Sequence, residues 1–160
     1  MMLHLVRRAA HTLCGEGALR SWPTAAAAAA YARDGFVLTP SPVLSEATIA
    51  ALKDRYVSMF AGEFETGQYP DEWHWREGIS RAQATREICN GWKADRLVAS
   101  VVTSNALGEL VSRLAGWEDA RVGQDDVLWK PPGGDAVGYH TDGCVRCSAS
   151  LRDLMQAACC

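Results

Sequence analysis

The pattern with the clearest chemical meaning is the triplet His140-Thr141-Asp142. On an extended strand, residues two apart point to the same face, so this imidazole and this carboxylate can approach one metal ion. They are two of the three ligands of the 2-His-1-carboxylate triad that holds non-haem Fe(II). The remaining histidines of the chain all precede the triplet: His4, His11 and His74. The sequence therefore predicts His140 and Asp142 as metal ligands, with no histidine after them to complete the triad.

The same residues have a plainer interpretation as a surface turn. Thr141-Asp142-Gly143 is good turn chemistry, because the aspartate can bond its own backbone and glycine tolerates unusual dihedral angles. The metal-ligand interpretation therefore depends on the residues that precede the triplet.

The first part of the chain is predicted to be helical. The run of alanines from Ala25 should continue as a helix that ends at Gly35. Ser45 is a good N-cap for an amphipathic helix over about 45–60, in which apolar residues recur at helical spacing. Two further helices are expected near 94–102 and 105–115.

Strands are expected mainly at the other end of the chain. Phe36-Val37-Leu38 is predicted to be a short strand, whereas residues 62–92 show no clear period. Strand residues reappear between Val122 and Trp129, and a second strand is expected over Ala136–Asp142. Two strands do not make a stable sheet alone and need a helix layer or partner strands.

Several of these segments resemble phytanoyl-CoA dioxygenase-like proteins, which are Fe(II)- and 2-oxoglutarate-dependent oxygenases. The matching motifs occur in the family's order: Tyr31-Ala32-Arg33-Asp34-Gly35-Phe36-Val37-Leu38, the helix from Ser45, Ile88-Cys89-Asn90-Gly91-Trp92-Lys93, Trp129-Lys130-Pro131-Pro132-Gly133 and Gly138-Tyr139-His140-Thr141-Asp142-Gly143. The lysine-diproline-glycine run followed by His-x-Asp is the most specific part. The resemblance covers about residues 31–143.

The resemblance implies an α+β fold, with N-terminal helices packed on a double-stranded β-helix, or jelly roll. It also implies Fe(II) bound by His140 and Asp142, 2-oxoglutarate as cosubstrate, and hydroxylation of a lipid-like or small organic substrate. Lys93 is a candidate contact of 2-oxoglutarate, although a solvated lysine at a helix start is the simpler interpretation. Trp73, Trp75 and Trp92 are expected to pack against the core rather than line a substrate entrance.

The resemblance stops after Gly143, where further strands with a second histidine and an arginine are expected. We therefore expect three parts: a leader or Ala-rich segment over 1–30, the N-terminal part of the oxygenase-like domain over 31–143, and a cysteine-rich tail over 144–160. The jelly roll is expected to be incomplete, and the truncated chain to be inactive. It could instead act as a non-catalytic fragment that binds a partner through an open strand edge.

The cysteines of the tail allow a different kind of site. Four thiolates could bind Zn²⁺, and the tail supplies Cys144, Cys147, Cys159 and Cys160. The spacing departs from the usual pair of Cys-x-x-Cys motifs, so this alternative is the weaker one.

Composition sets the remaining expectations. Hydrophobic residues make up 48% and charged residues 22%, as in ordinary globular proteins. A net charge of -3 gives no reason to expect nucleic acid or an anionic membrane as partner. No apolar run reaches the roughly 18 residues of a membrane span. Arg7 and Arg8 interrupt the N-terminal apolar stretch, so we expect an intracellular protein, with a mitochondrial or plastid transit peptide over 1–30 as an alternative to a disordered start.

Overall fold

Helices and a small antiparallel sheet make up the part of the chain that the computed structural model describes, which is residues 22–134, 136 and 138. The elements are α1 (Ala25–Asp34), α2 (Glu46–Phe60), β1 (Glu72–Trp73), β2 (Arg86–Cys89), a 3₁₀ turn (Gly91–Lys93), α3 (Arg96–Val102), α4 (Asn105–Ala115) and β3 (Asp126–Trp129). This mixture confirms the predicted α+β class.

The helices lie where the sequence predicts them, and side-chain or glycine caps set several of their ends. Ser45 accepts a hydrogen bond from the backbone N–H of Thr48 at 3.1 Å and so begins α2. Gly35 and Gly116 follow α1 and α4 in the left-handed conformation, with φ of 77° and 73°, which glycine adopts without steric cost.

The sheet has the order β1-β2-β3, and both pairs are antiparallel. Trp73 lies opposite Ile88, and Arg86 lies opposite Trp129. Strand β3 confirms the strand predicted at Val127 and Trp129. Residues 62–92 have no clear hydrophobic period, so the sequence does not predict β1 and β2. In the folded chain β2 lies between β1 and β3 and pairs with both.

Two clusters of apolar side chains hold these elements together. The larger one lies between the sheet, α2 and α3, and its buried members are Met59, Phe60, Trp75, Ile88, Ala94 and Val98. Trp73 and Trp92 pack against it, so the expected packing of the three tryptophans is confirmed. The smaller cluster joins α1 to α4 around the buried Trp22 and Leu110.

The predicted strand at Phe36-Val37-Leu38 is wrong, since these residues have no strand pairing. Val37 packs on the smaller cluster, whereas Phe36 and Leu38 are 66% and 84% exposed. A single extended segment is stable as a strand only beside a partner, and the described sheet lies elsewhere in the fold. The strand expected over Ala136–Asp142 lies largely outside the described residues.

A candidate membrane span is also lacking in the described part of the chain, where no helix is both long and apolar enough to cross a bilayer.

Candidate functional site

The most unusual charged group in the described structure is Arg86 on β2. Its guanidinium carbon lies 3.8 Å from the ring centroid of Trp75, 4.6 Å from that of Trp129 and 6.0 Å from that of Phe60. The rings attract the cation through their negative faces, and a guanidinium tolerates such a position because it is only weakly hydrated. Arg86 is thus held by aromatic rings from β3, from α2 and from the segment that follows β1.

No carboxylate among the described residues pairs with this guanidinium, and its Nε atom is buried without a hydrogen-bond partner. A guanidinium without a carboxylate partner can bind a ligand carboxylate through two parallel hydrogen bonds. A buried donor that is left unpaired also costs free energy.

The sequence offers no local sign of this arrangement. Trp75, Arg86 and Trp129 are far apart in the chain, and the antiparallel register that sets Arg86 opposite Trp129 brings two of them together. Trp75 reaches the same place because its indole N–H donates to the backbone carbonyl of Arg81 at 3.2 Å, which fixes the ring over β2.

A second arginine, Arg55 on α2, lies in a quite different setting. It forms an ion pair with Asp95, whose Oδ2 atom is 2.5 Å away, and approaches Glu65 at 3.5 Å. Asp95 is fully buried and also caps α3, since its Oδ1 atom accepts hydrogen bonds from Leu97 and Val98 at 2.8 and 3.0 Å. Arg55 therefore neutralises a buried helix cap and has a structural role.

Lys93, the predicted contact of 2-oxoglutarate, lies at the end of the 3₁₀ turn. Its ammonium is 2.6 and 2.7 Å from the two carboxylate oxygens of Asp71. Hydrogen bonds from Lys93 and Asn90 lower the pKa of the Asp71 carboxyl. A ligand carboxylate at Lys93 would have to compete with Asp71, and the predicted contact stays a prediction.

Asn90 joins this ion pair to the beginning of β3. It has a left-handed backbone with φ of 56°, and its side-chain amide donates to Asp71 at 2.7 Å. Its backbone N–H donates to the carbonyl of Asp125 at 2.8 Å, and its side-chain oxygen accepts from the N–H of Asp125 at 3.2 Å. Burial raises the pKa of the Asp125 carboxyl, which accepts a hydrogen bond from the N–H of Trp92. These contacts fix the β2–β3 register rather than present a reactive group.

His74 is exposed and does not pack between its tryptophan neighbours. Side chains alternate along β1 and the residues after it, which leaves Trp73 and Trp75 packed inward and His74 outward. Its Nε2 atom lies 2.6 Å from Oε2 of Glu72, and this hydrogen bond raises the pKa of the imidazole.

The described residues contain no group of three or more histidine, cysteine, aspartate or glutamate side chains able to hold a metal ion. Cys89 is buried, and burial raises the pKa of its thiol to about 11, which makes it unreactive as a thiolate. The predicted ligands His140 and Asp142 lie outside the described residues, as do the tail cysteines of the alternative zinc site. Both site predictions remain predictions.

The structure describes the turn that precedes the His-x-Asp motif in the chain. After β3 the chain turns at Pro131–Gly134, where the N–H of Gly134 donates to the carbonyl of Pro131 at 2.9 Å. A Cβ atom at Gly134 would lie 2.8 Å from that carbonyl oxygen and 3.0 Å from the carbonyl oxygen of Gln83. Glycine is therefore required at this position, where the chain passes close to the residues that lead into β2.

No protein-family model, curated protein or solved structure matches this chain. The resemblance to phytanoyl-CoA dioxygenase-like proteins consequently rests on the sequence motifs.

Proposed function

We propose that residues 31–143 belong to an Fe(II)- and 2-oxoglutarate-dependent oxygenase domain of the phytanoyl-CoA dioxygenase-like type. His140 and Asp142 are the assigned iron ligands, and the three-stranded sheet is the beginning of a jelly roll. Iron bound there would supply the oxidative decarboxylation of 2-oxoglutarate that accompanies hydroxylation of a lipid-like or small organic substrate.

The observation that carries this proposal is the unpaired guanidinium of Arg86. A 2-oxo diacid that chelates a metal through its oxo acid group has a second carboxylate, which needs a cation away from the metal. Arg86 supplies a cation with no carboxylate partner among the described residues, on the strand next to the one that leads toward His140. We assign Arg86 to that second carboxylate, in preference to Lys93, which Asp71 already neutralises.

The ring contacts also suit this assignment. They hold the guanidinium of Arg86 in one place, so less conformational entropy is lost when a carboxylate binds. Burial near the rings lowers the local dielectric constant and strengthens a charge-assisted hydrogen bond.

Metal binding is the quantity to measure first, because the assignment of His140 and Asp142 as metal ligands underlies the proposal. We expect the purified 160-residue chain to bind Co(II), used as an air-stable substitute for Fe(II), in an isothermal titration. Loss of an outer-shell hydrogen bond alone weakens metal affinity about 10–100-fold, so His140→Ala and Asp142→Ala should each weaken it at least as much.

The chain contains a matched control for this experiment. Glu72 and His74 are a carboxylate and an imidazole two residues apart, and the two side chains are in contact. If the proposal is right, Glu72→Ala and His74→Ala leave Co(II) affinity unchanged. Equal affinity in wild type and in His140→Ala, or loss of affinity in His74→Ala, would contradict it.

A further inference from the structure

Strand β3 combines an exposed edge with a charge pattern that is complementary to itself. In the order β1-β2-β3, β3 lies at one side of the sheet formed by the described strands. Its sequence, continued by one residue, is Asp126-Val127-Leu128-Trp129-Lys130, which has an acid at one end, a base at the other and three apolar residues between them. Leu128 is 53% exposed and Trp129 is 39% exposed.

The register determines which backbone groups of β3 point outward. The carbonyls of Glu87 and Cys89 accept hydrogen bonds from the segment around β1, from His74 and Asp71 respectively. Because backbone groups alternate sides along an antiparallel strand, the groups of Arg86 and Ile88 point toward β3. The backbone N–H and C=O groups of their partners, Trp129 and Val127, therefore point toward β2.

The backbone groups of Asp126 and Leu128, and of Lys130 by continuation, consequently point away from the sheet. The bond from the N–H of Asn90 to the carbonyl of Asp125 follows the same alternation. Pro131 has no N–H to donate, but the alternation places it on the inward side. The outward edge thus has backbone N–H donors at three alternating positions: 126, 128 and 130.

We propose that β3 pairs with β3 of a second copy of this chain, antiparallel and centred on Leu128. In this register Leu128 exchanges two backbone hydrogen bonds with its own copy. Asp126 exchanges two with Lys130 of the other copy, and the two-fold symmetry repeats that pair, which gives about six bonds in all. The result is an isologous dimer with one continuous antiparallel sheet through both copies.

The side chains favour the same register. Asp126 of one copy faces Lys130 of the other, and opposite charges at directly opposed positions stabilise an antiparallel pair. Neither residue forms an ion pair with any residue that the structure describes, although Asp126 accepts a weak hydrogen bond from Gln124 at 3.3 Å. Leu128 packs on its own copy across the axis. A shift of register by two residues would lose both charge pairs, so the pattern specifies one alignment.

This inference does not depend on the proposed function, because it involves no metal ligand and no carboxylate site. A second copy of the chain occupies the edge in this proposal, because Asp126 and Lys130 are complementary to the same residues of that copy. The competing occupant is a segment of the same chain beyond the described residues, and the experiment distinguishes the two.

The test is sedimentation equilibrium of the full 160-residue chain over a wide range of concentrations. Wild type should show a monomer–dimer equilibrium. Asp126→Lys sets two lysine side chains against each other in each symmetric pair, and Lys130→Asp sets two aspartates against each other. Because both pairs become repulsive, each single variant should dimerise about tenfold more weakly. The matched controls Asp54→Lys and Lys53→Asp change exposed charges on α2 and should dimerise like wild type.

A double variant and a mixture of the two single variants test this register specifically. The double variant Asp126→Lys/Lys130→Asp restores opposite charges at both positions, so it should dimerise like wild type. An equimolar mixture of the two single variants should form a heterodimer, because one copy then carries two lysines and the other two aspartates. Far-ultraviolet circular dichroism confirms that each variant is folded.

Three results would overturn the proposal or its register. A monomeric wild type with slow hydrogen exchange at the Leu128 amide would show that the chain covers its own edge, and would overturn the proposal. A dimer that is indifferent to Lys130→Asp would overturn it as well, since association would then use another surface. Failure of the double variant or of the mixture to recover dimerisation would contradict the antiparallel register.

Discussion

Arg55 and Arg86 show how the same side chain serves two purposes in one small fold. Arg55 reaches a fully buried carboxylate, Asp95, and completes the cap of α3. Arg86 reaches three aromatic rings and no carboxylate among the described residues. One cation is neutralised within the chain, whereas the other is held by aromatic rings and has no carboxylate partner among the described residues.

Because of this difference, removal of Arg55 and removal of Arg86 should affect different properties of the chain. Removing one partner of a buried ion pair leaves an uncompensated charge in the interior, which is strongly unfavourable. Removing a cation that rests on rings loses an attraction but leaves no charge behind. We therefore predict that Arg55 contributes mainly to the free energy of unfolding and Arg86 mainly to the binding of a carboxylate.

The largest expected effect is that of Arg55→Met. It leaves Asp95 buried without its ion-pair partner, and breaking a buried pair costs about 3 kcal/mol, reduced here because Arg55 is partly exposed. We expect the free energy of unfolding to fall by about 2–3 kcal/mol in urea titrations. The control Arg121→Met removes an arginine that is 90% exposed and should leave stability unchanged. A loss below about 0.5 kcal/mol for Arg55→Met would show that Asp95 needs no partner.

Arg86→Met should have a smaller effect on stability. The variant loses the cation's attraction to Trp75, Trp129 and Phe60 but keeps a flexible apolar side chain against the same rings, so we expect a loss of about 1 kcal/mol. The same urea titration measures it. If Arg86→Met destabilises the chain as much as Arg55→Met does, the guanidinium is a structural element and the comparison fails.

Lys93→Met tests a third kind of cation, one that is paired but near the surface. Asp71 is exposed, and exposed ion pairs contribute little, so the urea midpoint should move less than it does for Arg86→Met. Asp71→Asn removes the same ion pair from the other side and should match it. A midpoint that moves further than that of Arg86→Met would mean that the Asp71–Asn90–Lys93 contacts hold the sheet more firmly than we infer.

The smallest expected effect concerns the Glu72–His74 pair. Glu72 raises the pKa of His74 in the folded chain, so protonated His74 adds stability below its unfolded pKa of about 6.5, and this is lost as the pH rises through the raised folded pKa. Both side chains are more than half exposed, which limits the contribution to about 0.5 kcal/mol or less. Comparison of urea midpoints at several pH values, in wild type and Glu72→Gln, measures the difference. An opposite pH trend would contradict the assignment.

Local sequence signals are sufficient for the helices but not for the sheet. Ser45 and Gly116 mark helix ends through bonds to their own neighbours, which a sequence displays directly. Strand β2 depends on partners that are distant in the chain, and its residues Arg86–Cys89 have no simple alternation. The predicted strand at Phe36–Leu38 fails for the converse reason, because its local pattern finds no partner in the described fold.

The candidate site divides in the same way. His140 and Asp142 are predicted as metal ligands from their spacing and from the motif that precedes them, and this stays a prediction. The sequence does not predict Arg86 as a site residue, because no local pattern shows that Trp75 and Trp129 both contact it. The exposed edge of β3 lies between these cases: its charges are visible in the sequence, but the outward direction of its backbone follows only from the observed register.

We propose that Arg86 binds the carboxylate of a 2-oxo diacid held at a metal that His140 and Asp142 would bind. The most direct test of this proposal is an isothermal titration of 2-oxoglutarate into the Co(II)-loaded 160-residue chain. We predict binding in wild type and in the Arg121→Met control, and a loss of affinity of at least about tenfold in Arg86→Met, since a charge-assisted hydrogen bond is worth about 1.5–3 kcal/mol. Equal affinity in wild type and Arg86→Met, with the metal bound in both, would contradict the account.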